Sequence, residues 1–288
     1  MKQKAIKYIL NPPQKHWVGN GFHVHTMFHP GFDIYYYTTP FLMMDFAAPK
    51  KFSPTQTKRG VGEHPHRGFE TVTFAFEGEI EHRDSAGGGG IIGSGDVQWM
   101  TAASGVVHEE FHSQKFAREG GLFEMVQMWV NLPKKDKMTA PRYQGVKGEK
   151  FPVINPSEGV ELKLVSGKYA DKVGPCQTFT PINLIQTKMQ KDSNFLLSLD
   201  DKTNLLVLIR KGSVAINGNQ VNEHQLVIFE RDGQEVELSS NVGAELLILN
   251  GEPIDEPVFS HGPFVMNTRE EIIQAFEDYQ SGKMGHLS

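Results

Sequence analysis

Cysteine occurs only once in the 288 residues, as Cys176, so no internal disulfide can form. A lone thiol suits a reducing compartment, and the expectation for Cys176 is burial without reactivity. No stretch approaches the roughly 20 consecutive apolar residues of a membrane span, and the apolar part of residues 1–10 is too short for a secretory signal. A cytoplasmic location without a membrane partner is therefore expected. Long lysine and arginine clusters are also missing: 29 basic residues face 34 acidic ones for a formal net charge of −5, which argues against direct binding of nucleic acid. What is present is a globular composition, with 29 glycines and 16 prolines that suit many short strands joined by turns, in a chain long enough for two cores.

Two histidine-rich pairs carry the chemistry: His64-Pro65-His66 and His108-Glu109-Glu110. Residues i and i+2 of a strand point to one face, so each pair offers two convergent side chains. Between the pairs, residues 71–76 alternate polar and apolar, Glu77-Gly78 makes a turn, residues 79–83 alternate again, and a glycine loop at 87–90 precedes a short strand at 97–100. A meander of this kind brings its ends together, so His64, His66, His108 and Glu110 can hold one ion with three imidazoles and one carboxylate. Such a donor set suits Fe, Co, Ni, Cu or Zn, and affinity alone favours copper. Four protein ligands on an octahedral ion leave two positions open, enough for a bidentate substrate or for a substrate oxygen beside dioxygen. A further pair, His23 and His25, reads as part of a surface strand or pocket rim.

Strand patterns return at 160–165, 205–209, 213–216, 225–229 and 245–249, in an order that echoes the first half. The reading is two stacked barrels: an N-terminal metal-binding domain over 1–133, a surface connector over 134–144 and a C-terminal domain over 145–288. Where the second ligand pair should recur the chain reads Gly243-Ala-Glu-Leu-Leu-Ile248, while His224 and His261 fall in turn or loop contexts, so the second barrel is expected to lack metal ligands. A short C-terminal helix is predicted from the capping box Thr268 to Glu271, with Ile272, Ala275, Phe276 and Tyr279 at helical spacing until Gly282 stops it.

The spacing His64-x-His66-x-x-x-Glu70 with Gly78, followed by Gly105-Val-Val-His108, resembles the two cupin motifs. In many cupins the carboxylate ligand is the glutamate at the position of Glu70. Longer runs are more specific: His64-Pro-His-Arg-Gly-Phe-Glu-Thr-Val-Thr73, Glu81-His-Arg-Asp-Ser85, Gly95-Asp-Val-Gln-Trp-Met-Thr-Ala102, Gly105-Val-Val-His108 with Glu110, and the His-Gly-Pro-Phe-Val-Met-Asn-Thr run within 257–268 together resemble the pirin family over about residues 19–285. That resemblance implies an all-β bicupin, two double-stranded β-helix barrels, with a mononuclear iron in the first. It implies His64, His66, His108 and Glu110 as ligands and leaves Glu70 a supporting role. It further implies a quercetin 2,3-dioxygenase that takes a small phenolic or flavonol substrate and dioxygen and releases carbon monoxide, with Glu110 as ligand and base. The alternative it implies is an iron-dependent, redox-responsive regulator that acts on a protein partner without physiological catalysis. Histidines at 23 and 25 are not usual in the family, and Ala103 and Ser104 also depart from its common wording, which bears on pocket shape. Phe69, Phe74, Trp99 and Met100 lie near the motifs, and most are expected in the core.

Overall fold

Alternation of apolar and polar side chains becomes strand pairing over most of residues 2–287, the part of the chain that the computed structural model describes. The chain forms two compact all-β units. One comprises Gln14–Phe32, Phe41–Gly148 and the chain from Ile254 onward. It contains a four-stranded sheet in the order Gly60–His66, Val106–His112, Ile80–Asp84, Gly89–Ile92. It also contains a seven-stranded sheet in the order Arg142–Val146, Val97–Thr101, Phe69–Glu77, Gly121–Asn131, Phe41–Phe52, Phe22–Phe28, His16–Val18.

The interior of this unit is graded along its strands. Phe22, Val24, Ala47, Ala75, Ile80, Phe116, Phe123 and Met125 form an apolar floor, and each large side chain buried there contributes about 1.5–3 kcal/mol. Two residues along the same strand faces the side chains turn polar: Asp45 before Ala47, Thr73 before Ala75, His82 after Ile80, Gln127 after Met125. The period of two therefore places a polar belt directly above the apolar floor.

The second unit comprises the chain up to Pro13, Asp33–Pro40 and Glu149–Pro253. Its sheet runs Ile6–Leu10, Leu226–Phe229, Asn204–Ile216, Ala244–Gly251, Ile182–Met189, Val160–Ser166, Val153–Ile154. Leu246 and Ile248, which stand where the ligand pair would recur, join Leu162, Ile185, Phe195 and Val207 in its apolar core.

These units differ from the expected boundaries of 1–133, 134–144 and 145–288. Strand Ile6–Leu10 pairs with Leu226–Phe229, which ties the N-terminus to the second unit. The chain from Ile254 belongs to the first unit, so His261, on the exposed strand Phe259–His261, is not a residue of the second barrel. The stretch expected as a surface connector is built into the first unit: Arg142–Val146 pairs with Val97–Thr101, and Lys137 is buried with its Nζ donating to Gly68 O, Asn131 Oδ1 and Val265 O. Charge and proline suggested solvent there, but three acceptors satisfy the buried ammonium.

The C-terminal helix spans Arg269–Gln280 with the expected capping box, in which Thr268 Oγ1 accepts from Glu271 N and Glu271 Oε2 accepts from Thr268 N. Ile272 and Ala275 are buried, whereas Tyr279 is exposed. Cys176 is buried, and desolvation pushes its thiol up to about 12, the unreactive state expected of it. Among the described residues no helix is long and apolar enough to cross a membrane.

Candidate metal centre

The His64 and His108 strands are antiparallel neighbours, and the register sets His108 opposite His64. His64, His66 and His108 consequently form one cluster whose ligand atoms lie within 4.8 Å of one another. Ring centroids are 4.2 Å apart for His64 and His108 and 4.9 Å for His66 and His108. The tautomers of the first pair follow from their partners. His64 Nδ1 lies 2.8 Å from Gly62 O and His66 Nδ1 lies 3.2 Å from Pro263 O. A carbonyl only accepts, so both Nδ1 atoms carry hydrogen. His108 Nε2 is buried without a hydrogen-bond partner. Burial first, and then the neighbouring His64, hold His66 and His108 well below the ordinary histidine range, so both rings are neutral donors. Three clustered imidazoles, one with an orphaned buried nitrogen, fit a transition ion.

Glu110 falls in a second cluster, with His82 and His108, rather than with His64 and His66. The register explains this. A shift between His108 and Glu110 interrupts pairing with the His64 strand, whereas pairing with Ile80–Asp84 continues and sets Glu110 opposite His82. Both carboxylate oxygens of Glu110 accept from amides, Gln98 Nε2 on Oε1 and Gln127 Nε2 on Oε2, each at 2.7 Å. Gln98 is itself held by Tyr143, whose hydroxyl donates to Gln98 Oε1 at 3.3 Å, and the Tyr143 ring stacks on His82 at 5.1 Å. Burial, then the nearby Glu110 and Asp84, push the Tyr143 phenol up to about 12, so it acts as a donor.

Sequence reasoning missed His82, Asp84, Gln98, Gln127, Tyr143 and Trp129. Only His82 and Asp84 had a local signal, since they share the strand parity of buried Ile80. Asp84 Oδ2 accepts from His82 Nε2 at 3.2 Å, and Oδ1 accepts from Ala86 N and Gly88 N. Burial alone would raise the Asp84 carboxyl, but hydrogen bonds from His82 and those amides outweigh it and hold it below its ordinary value. Position 88 tolerates no side chain, because a Cβ there would lie 2.4 Å from Asp84 Oδ2 and 2.6 Å from Tyr143 Cβ.

Other candidates lie elsewhere. His23 stacks on Trp17 and His25 lies against Phe46, and neither enters a ligand cluster. Of the apolar residues near the motifs, Phe69 touches the site, 5.0 Å from His66, and half-buried Trp129 stands beside it at 5.3 Å from the same ring. Phe74 and Trp99 are fully buried core. A cavity of about 520 Å³ is lined by Glu81, Arg83, Glu109 and Phe111, which alternate with the cluster residues along their strands, and also by His82.

Glu70, the ligand position of many cupins, alternates with Phe69 and Thr71 and faces away from the histidines. Thr101 Oγ1 donates to its Oε1 at 2.6 Å, and burial raises its carboxyl to about 7. A raised carboxyl favours the folded state at low pH, and that advantage is lost as pH rises from about 4.5 through about 7. Glu70→Gln is therefore expected to match the parent's melting temperature near pH 5 and exceed it at pH 8, by roughly 2–4 °C for each kcal/mol recovered. Parallel melting curves of the two proteins against pH would refute a buried, neutral Glu70.

The C-terminal chain grips the His66 region. Besides the Pro263 carbonyl on His66, Val265 N donates to Arg67 O, and Arg67 Nη1 meets Asp278 Oδ2 at 2.8 Å. Ser85 Oγ donates to Met284 O at 2.6 Å.

Comparison with known proteins identifies the family. The family model described as Pirin matches residues 18–130, and that of the Pirin C-terminal cupin domain matches residues 184–285. A Pseudomonas aeruginosa protein provisionally named quercetin 2,3-dioxygenase is 44% identical over 281 residues, covering 97% of this chain and 98% of its own. A Pirin-like protein of Caulobacter vibrioides is 38% identical over 254 residues, covering 85% and 87%. The crystal structure of quercetin 2,3-dioxygenase from Acinetobacter baumannii aligns with a TM-score of 0.95 at 44% identity, over 99% of this chain and 100% of that one. With both halves matched and relatives aligned along nearly its whole length, the chain belongs to the pirin family.

Proposed function

We propose that the protein is a mononuclear metal-dependent quercetin 2,3-dioxygenase, in which His64, His66 and His108 present Nε2 to one ion and Glu110 supplies the carboxylate. The observation that carries the reading is the buried, unpartnered Nε2 of His108 beside two imidazoles whose Nδ1 atoms are committed to carbonyls. The names carried by the Pseudomonas and Acinetobacter relatives support the substrate class. The donor set suits Fe, and Ni, Co, Cu or Zn as well.

A redox-active ion held there supplies Lewis acidity and electron-transfer capacity. The chain supplies the rest. Glu110 accepts the flavonol 3-hydroxyl proton at a carboxylate oxygen, and Gln98 and Gln127 fix where that carboxylate sits. Phe69 and Trp129 offer aromatic faces beside His66 to a flat phenolic ring. The apolar floor keeps water from the inner side of the belt. In the net reaction one flavonol and one dioxygen give a depside and one carbon monoxide.

Glu110→Gln removes the base and a ligand while keeping size, so quercetin turnover is expected to fall by at least ~100-fold and metal affinity to fall with it. Carbon monoxide released from quercetin by the iron-loaded protein is the readout. Full flavonol cleavage by the variant would reject both roles of Glu110, and loss of quercetin absorbance without carbon monoxide would reject the dioxygenase.

A further inference from the structure

His108 Nδ1 lies 3.3 Å from His82 Nδ1, and between two facing imidazole nitrogens one must donate and the other accept. The surroundings decide which. His82 Nε2 faces Asp84 Oδ2 at 3.2 Å, and that carboxylate, already held by the Ala86 and Gly88 amides, can only accept. The His82 hydrogen therefore sits on Nε2, and its Nδ1 is an acceptor. Gln98 Nε2, 3.4 Å from the same Nδ1, approaches as a second donor. His108 must then carry its hydrogen on Nδ1, which leaves the lone pair on Nε2, the atom without a partner. The order of proton placement runs from backbone amides through Asp84, His82 and His108 to the cluster.

We propose that His82 and Asp84 are positioning residues that lock His108 in the tautomer able to bind metal, although neither is itself a ligand. The inference rests on the metal reading of His64, His66, His108 and Glu110. The inner trio of His82, His108 and Glu110 has the spacing of a second metal position. That position is served instead by the Gln98 amide, which lies 2.7 Å from Glu110 Oε1 and 3.4 Å from His82 Nδ1. The stacked Tyr143 ring and the obligatory glycine at 88 keep His82 and Asp84 from turning away.

The lock makes a prediction that simple packing does not. Asp84→Asn keeps the shape, but the loop amides claim the new oxygen and turn the new N–H towards His82. His82 then holds its hydrogen on Nδ1, against the hydrogen of His108, and His108 is driven to the wrong tautomer. His82→Asn, by contrast, places an amide oxygen near the old Nδ1, where it accepts from His108 whatever stands at position 84. Co(II) is the probe, titrated into the full-length protein against a competing chelator, with its ligand-field bands recorded and each variant's metal-free melting temperature measured.

Asp84→Asn and His82→Leu are each expected to weaken Co(II) binding by roughly 10–100-fold, the range for an outer partner of a ligating histidine. His82→Asn is expected to stay within about 3-fold of the parent and to abolish the effect of Asp84→Asn in the double variant. Equal losses in His82→Asn and His82→Leu, or a silent Asp84→Asn in the parent background, would overturn the proposal. Altered ligand-field bands in His82→Asn would also overturn it, since His82 would then be a ligand. If the parent itself takes up no Co(II), the metal reading fails, an outcome distinct from failure of the lock.

Discussion

His108→Ala is expected to abolish metal binding while leaving the barrel folded. His108 belongs to both ligand clusters, so its loss breaks the imidazole trio and separates Glu110 from it. The cost should exceed the ~10–100-fold typical of losing an outer partner. The fold should survive, because Val106–His112 is paired on both edges and the deletion also removes a buried nitrogen without a partner. A ligand present at 1,000 times its Kd stabilises the protein by ~4.1 kcal/mol, or roughly 8–16 °C in melting temperature. The parent should therefore melt higher with saturating metal, and the variant should melt at one temperature with or without it. A variant that still holds one ion per chain with parental affinity would refute the site.

Asp278→Ala is expected to produce the largest loss of stability among the side-chain contacts of the C-terminal chain. Arg67 is 4% exposed and bonds Asp278 Oδ2 at 2.8 Å and Ser104 O at 2.6 Å. Asp278 Oδ1 also accepts from Lys283 and Gln274. Removing the carboxylate strands a buried guanidinium, a loss of about 3 kcal/mol or roughly 6–12 °C in melting temperature. Hydrogen bonds from Lys283 and Arg67 lower the Asp278 carboxyl to about 2, so its contribution is complete above about pH 4 and lost as pH falls through about 2. The gap between parent and variant should be constant from pH 8 to 5 and close below pH 4. A gap that persists undiminished at pH 2 would show that Asp278 acts through something other than its charge.

The histidines were legible because strand parity acts over two residues and motif resemblance over ten. Once His64 and His66 share a face, only the pairing of two strands is needed to bring them to His108. The polar belt was not legible. Gln98, Gln127 and Tyr143 come from three strands of the other sheet, and their approach to Glu110 depends on strand order, which no local spacing encodes. His82 shares the strand parity of buried Ile80, but nothing local pointed to its partners. The compact units depart from the expected limits for a related reason: Ile6–Leu10 and the chain beyond Ile254 each join the unit that is distant in sequence, and their composition carries no trace of that choice.

Placing Pro263 on His66 has a consequence for biosynthesis. The first barrel's strands leave the ribosome by Gly148, yet the carbonyl that orients one of its histidines is not yet translated. At ~5–20 residues per second the wait is on the order of ten seconds. A nascent chain therefore spends that interval without the acceptor that orients the His66 ring.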